Sequence, residues 1–164
     1  MDIWSRYQIC ARPDRWEAAL KTSGPISYRR LKEGGYQLLD DWWVDTDIHG
    51  CAARIDGFVE LDDRGRLTIH KLYRWDGASG PAIDRKGNMR AGLAHDGLYQ
   101  LHRAGKLDPE VRAYSDQVFR DLVAQDSRRW LRWVGWLDYV GLRLFASHAA
   151  KPQPEVEVKA LRAP

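Results

Sequence analysis

The hydrophobic pattern of this chain changes period at Pro81. Before it, apolar residues come in short runs, Gln37-Leu38-Leu39, Asp41-Trp42-Trp43-Val44, Gly57-Phe58-Val59-Glu60-Leu61 and Leu67-Thr68-Ile69-His70-Lys71-Leu72-Tyr73. They are parted by Gly34-Gly35, His49-Gly50 and Asp62-Asp63-Arg64-Gly65. Short runs bounded by glycine and aspartate read as strands, and the last separator signals a hairpin. Beyond Pro81 the apolar spacing lengthens to three and four, the repeat of an amphipathic helix. Strands that precede helices, rather than alternating with them, predict an α+β fold. The expected architecture is a small antiparallel β-sheet within 26–80 followed by a three-helix unit within 84–148, in one domain over 1–150.

Capping signals place the helices at 85–104, 109–125 and 127–148. Asp108 ahead of Pro109 and Glu110 is an N-cap with proline in the first helical position, and Ser127 before Arg128 is a second cap candidate. In the third segment Trp130, Trp133, Leu137, Val140 and Leu144 form one apolar stripe, so its tryptophans read as core rather than as an interfacial anchor. A shorter helix is expected over 14–21, opened by Pro13 and stopped near Gly24-Pro25. Residues 151–164, with Pro152, Pro154 and Pro164, read as a disordered tail.

With 164 residues, 44% of them hydrophobic, the chain can bury one core but not two ordinary ones. No apolar stretch approaches the roughly 18 residues that cross a bilayer. No basic segment leading into an apolar run opens the sequence, so no signal peptide is expected and the location is read as cytoplasmic or particle-associated. Cys10 and Cys51 allow one bridge at most and are expected as free thiols. Lys plus Arg number 26 against 23 Asp plus Glu, mixed along the chain with no groove-reading motif, which argues against a nucleic-acid partner.

Three groups carry chemistry. His95-Asp96-Gly97-Leu98-Tyr99 falls in the first long helix, Ser115-Asp116-Gln117-Val118-Phe119 in the second, and Trp75-Asp76-Gly77-Ala78-Ser79-Gly80-Pro81 in a turn after the strands. If the two helices form an antiparallel hairpin turning at Gly105-Lys106, midway between positions 95 and 116, His95 and Asp116 stand level and within hydrogen-bond reach. Tyr99, one turn beyond His95, shares its face, whereas Asp96 is rotated by about 100° toward another partner. A histidine oriented by one carboxylate, with a second beside it aimed elsewhere, suits a general base next to a metal ion. Asp76 offers a further carboxylate, and a hard oxygen set favours calcium over zinc. The plainer reading of Asp76 is the first residue of a tight Asp-Gly turn. His49, His70, His102 and His148 show no usable partner spacing and are expected to be exposed or half-buried.

Taken in order, these motifs resemble an uncharacterised family of phage and bacterial proteins, over about residues 55–146. Its members carry Asp-x-Ala-Ser-x-Pro, His-Asp-x-Leu-Tyr, Ala/Ser-Asp-x-x-Phe and a closing Val-Arg-Leu-Phe helix, the last reading Gly141-Leu142-Arg143-Leu144-Phe145 here. More distantly, the pattern is similar to bacterial and fungal phospholipases A-two, with their Asp-Gly-Cys-Ser turn, His-Asp-x-x-Tyr helix and following Asp-x-x-Phe. That resemblance implies an antiparallel catalytic helix pair, with Asp76 and Asp96 as calcium ligands, His95 as general base, Asp116 as its orienting partner and Tyr99 in the same network. Turn N–H groups near Gly77 would hold the oxyanion. The chain departs from those lipases in lacking cysteine in the helix pair and in carrying an N-terminal sheet. The implied activity is calcium-dependent hydrolysis of a lipid or other acyl ester. The alternative is a non-catalytic phage structural or assembly protein, with phage or bacterial protein partners, that keeps the helices as a scaffold.

Overall fold

A computed structural model describes residues 19–77 and 88–126 of the chain. The β-like runs become seven short strands: β1 (Tyr28–Arg30), β2 (Tyr36–Leu38), β3 (Trp42–Asp45), β4 (Ala53–Ile55), β5 (Val59–Leu61), β6 (Arg66–Ile69) and β7 (Arg74–Trp75). All pairings are antiparallel, in two sheets ordered β1-β2-β7 and β3-β6-β5-β4 rather than the single sheet expected. The split occurs inside the run 67–73. β6 stops at Ile69, Tyr73 N–H donates to His70 O at 3.2 Å, and the chain leaves the turn as β7 beside β2. Leu72 within that turn takes φ 71°, a conformation that no strand permits.

In the four-stranded sheet Trp42 and Val44, Val59 and Leu61, and Leu67 and Ile69 are buried on alternate positions, so one face is apolar. The smaller sheet stacks Tyr28, Tyr36 and Trp75 with ring centroids 5.5–5.9 Å apart. Its strand β7 leads directly into Asp76 and Gly77. Gly35 lets the turn before β2 close on β7: a Cβ there would stand 2.7 Å from the Trp75 carbonyl oxygen, and the residue has φ 73°.

The helical layer follows as expected in kind. α1 (Met89–Arg103) ends in a Schellman turn in which Lys106 N–H donates to Leu101 O and Gly105 N–H to His102 O, both at 2.9 Å. Asp108 then caps a 3-10 turn (Pro109–Val111), its carboxylate accepting from Glu110 N–H at 2.9 Å, and α2 (Arg112–Asp126) continues from it. The two helices lie antiparallel. Arg90 at the start of α1 forms an ion pair with Asp126 at the end of α2, and the same guanidinium donates to Thr22 Oγ1 at 3.0 Å. α1 rests on the large sheet at Gly97, where a Cβ would meet Ile69 Cδ1 at 3.0 Å. Leu93, Leu98, Leu101, Val118, Phe119 and Leu122 complete the core against the strands.

The protein is therefore α+β, with its strands first. Two details of the expectation change. Residues 19–21, the end of the segment read as a helix, are not helical: Lys21 O accepts from Asp45 N–H at 2.8 Å beside β3. Cys51 is disulfide-bonded rather than a free thiol. The rest of the 14–21 segment, Cys10, the third helix at 127–148 and the tail at 151–164 lie outside the described residues. Among the described residues no helix is long and apolar enough to cross a membrane.

Candidate active site

Helical spacing puts His95, Tyr99 and His102 on one face of α1, and Arg112, Ser115, Asp116 and Phe119 on the facing stripe of α2. Asp116 is wholly buried and His95 is 2% exposed. His95 Nε2 stands 3.3 Å from Asp116 Oδ1, and the Tyr99 hydroxyl donates to the same oxygen at 2.6 Å. The imidazole is held on two sides, by the Tyr99 ring at 4.0 Å between centroids and edge-on by Phe119 at 5.5 Å. The helix pair thus brings together three of the residues singled out from the sequence.

The Tyr99 hydroxyl keeps its proton. Burial, then the hydrogen bond to Asp116, pushes the Tyr99 hydroxyl far above the usual tyrosine range, so it remains a donor. Asp116 Oδ2 has no hydrogen-bond partner among the described residues, and neither has the buried Nη1 of Arg112.

Asp96 faces elsewhere, as its rotation predicted. It is half-buried, whereas Asp76 is exposed and Gly77 is buried with φ 105°. Both carboxylates act on one hydroxyl, that of Tyr73: burial, then Asp96, and more weakly Asp76, push it above the usual range. The charges of Asp96 in α1 and of Asp76 after β7 are thus both felt at Tyr73. No group of three or more His, Cys, Asp or Glu side chains arranged for a metal occurs among the described residues. As a donor set the two carboxylates suit calcium in kind, since that ion takes oxygen ligands and completes its shell with carbonyls and water. The turn positions Ala78, Ser79, Gly80 and Pro81, and the closing motif at 141–145, lie outside the described residues.

Sequence reading gave no role to four members of this region. His102, expected exposed or half-buried, is 3% exposed and its Nε2 lies 3.1 Å from Ser115 Oγ. Its spacing of seven from His95, two turns along one face, was the available signal. Ser115 and Arg112 belong to the stripe of Asp116 by the same arithmetic. Tyr73 carried no signal, because nothing in the strand pattern announces that its hydroxyl feels the charges of Asp96 and Asp76.

His102 has a measurable consequence. Burial lowers its pKa from the ordinary 6.5 to about 4, partly opposed by the Asp116 charge. The folded state holds the ring neutral while the unfolded chain protonates it below 6.5, so its stabilising contribution is full above that pH and is lost as pH falls toward 4. Chemical denaturation at pH 7.5 and 4.5 is expected to show about 2 kcal/mol of acid destabilisation in the wild type that is missing in His102→Gln. Equal pH slopes in the two proteins would contradict a neutral buried His102.

The comparisons with known proteins add no relative to this geometry: no family model, no curated protein and no solved structure matches the chain.

Proposed function

We propose that this chain is a calcium-dependent hydrolase of ester or acyl bonds, phospholipase-like in its His-Asp pair. One observation carries the reading: His95 Nε2 and the Tyr99 hydroxyl converge on a single oxygen of buried Asp116. With Nε2–H given to Asp116, Nδ1 is the nitrogen left to accept a proton. Water attacks the ester carbonyl carbon as Nδ1 takes its proton, and Asp116 stabilises the imidazolium that forms. His95 then returns the proton to the leaving alkoxide. Turn N–H groups near Gly77 would hold the developing oxyanion. Asp76 and Asp96 would hold the ion, which when bound would supply positive charge to polarise the carbonyl. Substrates are lipids or other acyl esters. The disulfide at Cys51 suits action outside a reducing, calcium-poor cytosol, after release of a phage-associated or cytoplasmic product.

The depth of the pair favours a second reading, a non-catalytic phage structural or assembly protein that keeps the helices as a scaffold. One assay separates the two. The purified full chain is incubated with phospholipid vesicles and simple acyl esters in millimolar calcium, and again with chelator. Turnover is expected with calcium alone, and Asp96→Asn is expected to lower it at least tenfold by removing a ligand charge. Absence of calcium-dependent turnover on every substrate favours the scaffold.

A further inference from the structure

We propose that Arg112 is a positioning residue of this site, the counter-charge that holds the Asp116 carboxylate in place between the helices. The inference rests on the hydrolase reading for its catalytic consequence but not for its electrostatics. Asp116 is wholly buried, and the groups that touch its Oδ1 are a histidine ring nitrogen and a phenol, neither of them a fixed positive charge. A carboxylate so placed needs a cation nearby, because the protein interior stabilises an isolated charge poorly. Arg112 lies four residues before Asp116 on α2, one turn away on the same face. Its Nη1 is buried with no hydrogen-bond partner among the described residues, as is Asp116 Oδ2. The two atoms do not bond each other, so Arg112 acts on the carboxylate by charge across the cluster rather than by a hydrogen bond.

The position of Arg112 in its helix points the same way. It is the first residue of α2, the end where the helix dipole disfavours a cation, and the acids that suit that end, Asp108 and Glu110, precede it. The helix dipole therefore gives no reason for an arginine here, whereas the buried carboxylate one turn on does. The guanidinium also acts on Tyr99 and on His102, as Asp116 does, so all four groups belong to one electrostatic unit with His95.

The test uses the full chain as Arg112→Gln and Arg112→Lys, read by ester hydrolysis with calcium and by NMR titration of the His102 ring. His102 is surrounded by Asp116, Arg112, His95, Tyr99, Ser115 and the Leu107 backbone, and Arg112 is among the causes of its low pKa. Arg112→Gln is expected to lower kcat about tenfold with KM unchanged, and to raise the His102 midpoint above about 4. Arg112→Lys is expected to keep both near wild type, because it retains the charge. An unmoved His102 midpoint in folded Arg112→Gln overturns the proposal, as does Arg112→Lys behaving like Arg112→Gln. If Arg112→Gln does not fold, Arg112→Lys decides alone: near-wild-type titration supports the counter-charge, a displaced midpoint overturns it. If the wild type hydrolyses nothing, the hydrolase reading fails while the titration still decides the role of Arg112.

Discussion

His95→Gln is expected to lower kcat/KM for calcium-dependent ester hydrolysis by about a thousandfold, in line with loss of a general base. Glutamine nearly fills the space of the imidazole and keeps an N–H to offer Asp116 Oδ1, so the pocket between Tyr99 and Phe119 stays occupied. What it loses is a nitrogen that accepts a proton near neutral pH. The melting temperature is accordingly expected to fall by only a few degrees, equivalent to about 1 kcal/mol. Steady-state kinetics and a thermal melt on the same preparation measure both quantities. A rate within tenfold of wild type in a folded His95→Gln would remove His95 from the role of base, and with it the mechanism proposed above.

The parts of this fold that were legible in the sequence are those governed by local rules. Asp108-Pro109-Glu110 announced a helix start by capping chemistry alone, and the observed 3-10 turn leading into α2 begins there. The level meeting of His95 and Asp116 followed from counting outward from a turn at Gly105-Lys106, because an antiparallel helix pair is close to a one-dimensional register problem. What escaped depends on where the chain goes next. The run 67–73 alternates like one strand, yet a left-handed Leu72 bends it from one sheet to the other, and leucine gives no hint of that conformation. β1, β4 and β7 are two or three residues long, too short for a period to show. Thr22 pairs with Val44 although its neighbourhood reads as a helix end, since the bridge is made by a partner twenty-two positions away. In the site, Tyr73 was invisible for a related reason: a hydroxyl that feels charges from α1 and from the turn after β7 is defined by convergence in space and leaves no motif.

Phe119 joins the core to the site, and its truncation is expected to have the largest effect on stability. The ring is 1% exposed, is a member of the central apolar cluster and meets the His95 imidazole edge-on at 5.5 Å and 68°. Phe119→Ala removes the apolar area of a buried aromatic ring and leaves a cavity between tightly packed helices, at a cost of about 4 kcal/mol. That is a large part of the roughly 5–15 kcal/mol that holds a domain of this size together. Urea denaturation should register the loss as a lower midpoint with an unchanged slope. Phe119→Leu, which keeps most of the volume, should cost only about 1.5 kcal/mol and leave a folded protein in which the edge-on ring contact alone is gone. In that variant the imidazole is free to tilt away from Asp116, and hydrolysis should fall about tenfold, the usual consequence of a small misplacement of a reacting group. Should Phe119→Leu instead keep full activity, the histidine is oriented by Asp116 and Tyr99 without help from the core. A stability loss in Phe119→Ala no greater than in Phe119→Leu would mean that the helices close over the cavity, and that the packing between α1 and α2 is looser than their buried side chains indicate.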